Sequence, residues 1–347
     1  MSFFSNLYII SNDKFYNNKY SNHNDLGTII NSFVKYYNVN IIARKTEFRF
    51  KFLTIVNKVK LLNIFSIQTI KIIKQVNEKD KFLFISLTPF NFSIFLFLKL
   101  ILKKKNFYLY LRSNGFNEYK VILGNLGKLF YYLMLKIIIN NVKLIISSKD
   151  LNIDKNDFYL VRPSELTKAW FKNRTIVNLN NRVVKFLYLG RFRKEKGIID
   201  FIKLIDGSNL NYQLKVYGLD YSSHSKNTQR IKYFPQIFEV EKIIKVYDAC
   251  NIFILPSYTE SAPKVIWESL ARLRPVIIFK DIGHIAYKKK GVYVCERKAS
   301  SLNKKIKFIM KNYHKIQKTI IKNNFPFKNE FQNDFLNIIK KHESDSK

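Results

Sequence analysis

Short apolar runs alternate along the chain with longer stretches whose apolar residues recur every three or four positions. Residues 7–11, 39–43, 82–86, 107–111 and 143–147 read as strands. Helical periodicity occupies 25–34, 67–76, 90–102 and 127–138 between them. Near-continuous apolar strands separated by helices predict a parallel sheet covered on both faces. The rhythm breaks in the polar stretch 173–181 (NRTIVNLNN) and then restarts. Strands are expected at 183–189, 214–217, 252–255, 276–279 and 292–295, with helices at 198–205, 239–249 and 263–272. The expected class is therefore α/β, with two doubly wound Rossmann-like domains. These are 1–174 and 180–325, with a helical, basic tail over 326–347 that packs back on the first domain.

Residues 82–98 form a run of 17 without a charge, near the lower limit for a membrane span. Thr88, Pro89 and Asn91 interrupt it. Strand, loop and helix is therefore the preferred reading. The opening MSFFSNLYIIS has neither a basic stretch nor a small-residue cleavage site, so no signal peptide is expected.

Of the 347 residues, 47% are hydrophobic and 16% aromatic, which excludes a long disordered chain. Two cysteines, Cys250 and Cys295, fit a reducing compartment. The charge is extreme: 61 basic against 25 acidic residues, a formal +36. One reading is a surface that seeks anions. The other is compositional drift, because the abundant Lys, Ile, Asn, Phe and Tyr all have AT-rich codons.

Chemistry is sought in the loops beyond the carboxyl ends of such strands. The segment VVKFLYLGRFRKEKGIIDF reads strand, loop, helix. Gly190 ends the strand; Arg191, Arg193, Lys194 and Lys196 fill the loop; Gly197 opens the helix. Cations beside a helix N-terminus suit a phosphate, because outward N–H groups and the helix dipole both favour negative charge. A solvated basic loop is the alternative.

The segment IFILPSYTESAPKVIWESLARLRPVIIF reads strand, loop, helix, loop, strand. Glu260 precedes the helix, Pro263 suits its first turn, and Glu268 lies inside it. Lys264, Glu268 and Arg272 stand four apart, which also describes a plain solvated ion-pair stripe.

Taken together, GRFRKEKG (Arg-x4-Lys) and ESAPKVIWE (Glu-x7-Glu), with YDACNIFILPS before the second and RPVI after it, resemble the retaining nucleotide-sugar glycosyltransferases of the GT-B fold, in the large family numbered four. The strong likeness covers 183–285; LYLRSNGFNEY and VRPSEL in the first half resemble bacterial surface-polysaccharide enzymes of this type. The resemblance implies two domains facing across a cleft and transfer of a sugar from a UDP- or GDP-linked donor to a glycan or polyprenyl-diphosphate-linked acceptor, with retention. It implies that Arg191 and Lys196 neutralise the donor diphosphate and that Glu260 touches the sugar. Glu268 would hold the ribose, and Gly190, Ser261, Ala262, Pro263, Lys264 and Val265 would complete the donor site. It calls for no cofactor and no metal, and no Asp-x-Asp or His/Cys cluster of metal-ligand spacing stands in the sequence. The family often places Gly where Ser261–Pro263 and where Leu273 and Arg274 stand here.

Acceptor contacts are expected in the first domain: His23 and Asn24 after the first strand, and Arg112, Ser113 and Asn114 after 107–111. Arg112 suits an anionic group, or a partner such as Glu118. Hydrophobic helices with basic ends, at 90–102 and 127–138, suit peripheral contact with the inner face of the cytoplasmic membrane, or simply cover the sheet. Specific nucleic-acid binding is not expected, since no recognised module is present. A phosphorylase or epimerase on the same fold, an inactive relative and a basic membrane- or nucleic-acid-binding protein are the alternatives.

Overall fold

The structure is a computed structural model that describes residues 5–16, 20–21, 24–45, 60–62, 66–113, 115–148, 157–179, 183–208, 210–218 and 227–344. The chain divides into two units, Met1–Ser164 with Lys328–Lys347, and Glu165–Phe327.

The first unit runs β1 (Asn6–Tyr16), β2 (Tyr20–Ser21), α1 (Asn24–Phe33), β3 (Asn38–Lys45), β4 (Lys60–Leu62), α2 (Ile67–Lys74), β5 (Lys81–Ile85), α3 (Pro89–Leu96), β6 (Phe107–Leu111), α4 (Gly115–Ile139), β7 (Leu144–Ser147) and β8 (Phe158–Leu160). The main path of its sheet is β4-β3-β1-β5-β6-β7-β8, with all pairs parallel; β2 alone pairs antiparallel, on β1. Alternate strand residues enter opposite cores. Leu7, Ile9, Leu83 and Tyr110 face one, and Tyr8, Ile10, Phe82 and Leu109 the other. Both faces are dry, which explains why the strands read as unbroken apolar runs.

The uncharged stretch 82–98 is a strand, a turn and a helix. Thr88 caps α3 by accepting from the Asn91 amide at 3.2 Å, and Pro89 takes the first helical position. The Asn91 side-chain amide donates to the carbonyls of Ile85 and Ser86 at 2.7 Å each, which ties the turn to the strand end. The helix expected over 90–102 ends in a π-helical turn, Phe97–Ile101. The one expected over 127–138 begins twelve residues earlier, at Gly115, and bends at Gly124, whose φ is +67°. That left-handed glycine shifts the phase of the apolar repeat, which hid the first part.

The second unit contains β9 (Val184–Leu189), α5 (Ile198–Asp206), β10 (Tyr212–Gly218), β11 (Ile231–Pro235), α6 (Val240–Asp248), β12 (Ile252–Leu255), α7 (Lys264–Ala271), β13 (Val276–Phe279), β14 (Val292–Cys295), α8 (Ala299–Lys311) and α9 (Tyr313–Ile320). Its strands are all parallel, in the order β11-β10-β9-β12-β13-β14. The unit starts before the polar stretch at 173–181, because Leu166 and Trp170 are buried in its core. Cys250 and Cys295 are free and buried, and burial pushes the Cys250 thiol up to about 12.

The last helix, α10 (Lys328–Ser344), belongs to the first unit and packs on α1. Phe335 meets Tyr110 and Phe33 edge to face, with ring centroids 5.0 and 5.8 Å apart. It is fully buried. Phe335→Ala is expected to lower the stability of the first unit by about 3–5 kcal/mol, read by urea unfolding.

Candidate functional site

In the second sheet, β10 and β11 lie on one side of β9 and β12 to β14 on the other. The chain reverses direction of winding between β9 and β12, and that switch opens a crevice at the strands' carboxyl ends. Both sequence motifs leave from these two strands.

The backbone at the β9 end is crowded. Gly190 donates to the Tyr217 carbonyl at 2.9 Å, and a Cβ on Gly218 would lie 2.5 Å from the Gly190 oxygen. The loop then makes a 3-10 turn, Lys194–Lys196, and Gly197 starts α5 with φ +64°. A Cβ on Gly197 would stand 2.3 Å from the Pro256 carbonyl, just past β12. The two loops therefore touch backbone to backbone. The Tyr258 amide donates to the Glu195 carbonyl at 2.9 Å and ties them again.

That contact brings side chains 64 residues apart together. Lys196 Nζ lies 2.6 Å from Glu260 Oε1, and Ser257 Oγ donates to the same oxygen at 2.7 Å. Both charged side chains are mostly shielded, 19% and 13% exposed. The charges of Arg191, Glu260 and Glu195 all act on the Tyr188 hydroxyl, so they share its neighbourhood. Tyr188 itself donates to the Arg191 carbonyl at 2.9 Å. Its ionisation is held far above the usual range, chiefly by burial.

On α7, Glu268 Oε2 accepts from the buried Tyr247 hydroxyl at 3.1 Å. Burial raises the Glu268 carboxyl to about 7, against the pull of Lys264 and of the Tyr247 bond, with Glu165 adding a push. The helix starts at Lys264, so Pro263 sits in the extended cap position rather than in the first turn. Ser261, Ala262, Pro263 and Val265 are partly exposed around that start.

Residues 171–325 match the sequence profile of a family described as Glycosyl transferases group 1. The likeness to this family is carried by that segment, less than half of the chain. A Bacillus subtilis (strain 168) protein, named provisionally as the teichuronic acid biosynthesis glycosyltransferase TuaC, is 29% identical over 123 residues. The match spans 35% of this chain and 31% of that relative, so it reaches only about a third of either. Among solved structures, sucrose-phosphate synthase from Thermosynechococcus elongatus superposes with a TM-score of 0.75 at 14% identity, over 98% of this chain and 99% of that one. Anabaena HepE, solved in complex with UDP-glucose, gives 0.63 at 11% identity, over 98% of each. The fold is GT-B.

Each residue of the helical stripe Lys264, Glu268, Arg272 has a partner outside the stripe. Lys264 meets Glu165 at 3.5 Å, and Glu268 meets Tyr247. Arg272, buried, grips Asp248 with two bonds of 2.7 and 2.9 Å and also donates to the Trp170 and Lys172 carbonyls. Ser257, Tyr247 and Glu165 thus each touch one expected site residue, and no spacing along the chain pointed to them. Arg297 is another. It lies over the Tyr258 ring at 3.9 Å and donates to the Pro256 and Ser257 carbonyls at 2.7 and 3.0 Å, fixing the loop that carries Glu260.

In the first unit the winding reverses between β1 and β5. There Arg112 donates to Asp13 at 3.2 and 3.4 Å and to Ser86 Oγ at 2.9 Å. Asp13 is a buried carboxylate beside a bulge in β1, and Ser11 Oγ donates to it at 2.9 Å. The structure therefore gives Arg112 a carboxylate partner 99 residues away in sequence. Ser113 follows it, partly exposed. Asn24 opens α1. His23 and Asn114 lie outside the described residues.

The approach of Gly197 to Pro256 sets the spacing of the two loops. Gly197→Ala adds a left-handed alanine and a clash at 2.3 Å, and is expected to destabilise the second unit by about 1–3 kcal/mol in urea unfolding. Gly207→Ala has its nearest neighbour at 3.6 Å and is expected to change stability by less than about 0.5 kcal/mol.

Proposed function

We propose that the chain is a retaining glycosyltransferase. It would move a sugar from a UDP- or GDP-linked donor to a glycan or polyprenyl-diphosphate-linked acceptor, in cytoplasmic synthesis of a cell-surface polysaccharide or lipopolysaccharide. The observation that carries this reading is the 2.6 Å pair of Lys196 and Glu260 at the switch point of the second sheet. It sets a cation for phosphate beside a carboxylate for sugar hydroxyls.

In the reaction, the bond between the anomeric carbon and the β-phosphate oxygen breaks. A new bond forms from that carbon to an acceptor hydroxyl, whose proton is lost, and the nucleoside diphosphate departs. Negative charge grows on the departing phosphate. In this reading Arg191 and Lys196, with the N–H groups opening α7 near Ala262 to Val265, stabilise that charge in place of a metal ion. Preorganised charge of this kind is often the largest single catalytic contribution. Glu260 exchanges its lysine partner for sugar hydroxyls, and Ser257 keeps it oriented. Glu268 accepts from the ribose hydroxyls, with Tyr247 holding its other face. HepE, a structural relative solved with UDP-glucose, supports a nucleotide-sugar donor. The name of the Bacillus relative supports a surface-polysaccharide product.

Lys196→Ala and Glu260→Gln are each expected to lower kcat/KM for donor hydrolysis or transfer by about 10²–10³, with the melting temperature nearly unchanged. Unaltered turnover in both would remove the assignment. A second test uses Glu268. Its raised value means that the proton-accepting carboxylate is populated only as pH climbs through about 7. UDP or GDP should therefore bind more tightly at pH 8 than at pH 6 by isothermal titration. Glu268→Gln should lose that extra tightening and keep only the part due to the nucleotide's own phosphate.

A further inference from the structure

Helix α4 is apolar on two faces. One face, Gly127, Tyr131, Met134, Leu135 and Ile138, is buried against the first sheet. The opposite stripe, Leu126, Leu129, Phe130, Leu133 and Ile137, is exposed, with Leu126 at 80%. A soluble helix normally carries polar residues there. The helix is long and apolar enough to cross a membrane by length and composition. Its packed inner face means that it lies against the sheet, so only the outer stripe is available to another phase.

Two features say which phase. First, the lysines sit at the border of the stripe. Lys128, Tyr132 and Lys136 follow each other at four-residue steps along one flank, all exposed. Second, the carboxyl end of α4 joins a basic basin of about 500 Å³ whose lining includes Lys99, Lys103, Lys104, Lys105, Lys143 and Asn140. Lys99 donates to Asn141 there, which links the basin to the end of the helix. Leu100 and Ile101, 62% and 67% exposed, stand beside these lysines on the preceding π-helical turn. Between residues 81 and 148 the chain carries ten basic residues and a single acid, Glu118. An apolar stripe rimmed by cations matches the boundary of an anionic bilayer, with side chains in the acyl layer and ammonium groups at the phosphates.

We infer that the outer face of α4, with Leu100, Ile101 and the lysine basin at its carboxyl end, is a docking surface for an anionic phospholipid leaflet. Leu126 to Ile137 enter the headgroup boundary, and the basin takes lipid phosphates. The surface lies within the first unit and does not rest on the sugar-transfer reading.

The test is flotation of the full chain with phosphatidylcholine vesicles and with equimolar phosphatidylglycerol–phosphatidylcholine vesicles. Because the whole chain is strongly basic, the controls must separate this face from diffuse charge. Wild type is expected to float with the anionic vesicles at least tenfold more than with the neutral ones. The triple variant Leu126→Gln, Leu129→Gln, Leu133→Gln keeps the charge and should lose binding at least tenfold. Lys103→Gln, Lys105→Gln, Lys143→Gln should lose as much. Lys304→Gln, Lys307→Gln, Lys311→Gln removes equal charge from α8 in the second unit and should stay within twofold of wild type. Equal loss in the α8 control, or retained binding in the leucine variant, would overturn the inference. So would a wild-type dimer in vesicle-free solution that the leucine variant abolishes, since a second copy would then own the stripe. Circular dichroism and urea unfolding of each variant show that it remains folded.

Discussion

The second unit depends on one close approach. β9 and β12 are neighbours in the sheet, yet the chain leaves them in opposite directions, and the loops after both must share the space above. They do so only because residue 197 has no side chain where the Pro256 carbonyl comes within van der Waals range. The meeting of Lys196 and Glu260 follows from that spacing. Lys196 sits one residue before the glycine and Glu260 four after the proline, so the same contact that closes the loops brings opposite charges together. Arg297 then clamps the second loop from β14's end, held in turn by Asp281 at 2.8 Å. Contacts within the chain itself thus fix both loops.

How much of this the sequence revealed follows from distance along the chain. The loops after β9 and β12 were legible because a strand, a polar loop and a helix start are contiguous in each. Tyr247 and Glu268 are 21 residues apart, and Arg112 and Asp13 are 99 apart; only packing joins them. The strand β11 escaped notice for another reason. It is an edge strand, IKYFP, with a lysine and a terminal proline where a central strand would be uniformly apolar. The first part of α4 was hidden by Gly124, which breaks the helical period at a left-handed residue.

The stripe on α7 shows why spacing alone misleads. Three residues at intervals of four describe an ion-pair ladder on an isolated helix. In the fold each also finds a partner elsewhere, because α7 is packed among the core, Glu165 and the end of α6. The Glu268 carboxyl is buried beside the Tyr247 phenol, with Lys264 still attracting it. Desolvation then outweighs attraction, and the carboxyl moves up rather than down.

The turn between α7 and β13 carries the same logic into the core. Leu273 adopts φ +59°, a left-handed conformation that a glycine enters freely and a leucine does not. Its side chain is fully buried, so roughly 2 kcal/mol of apolar burial offsets roughly 1 kcal/mol of backbone strain. The flanking arginines hold the strained turn in place. Arg274 is buried and donates to the Tyr247 and Asp248 carbonyls at the end of α6, at 3.1 and 2.9 Å. Arg272 holds the Asp248 carboxylate from the other side. Tyr247, whose hydroxyl meets Glu268, is therefore anchored at its backbone by the turn that follows the same helix. A glycine at 273 would relax the turn but empty a core position. This chain has settled instead on a strained, filled turn braced by two buried cations, which ties the position of Glu268's partner to the packing beneath it.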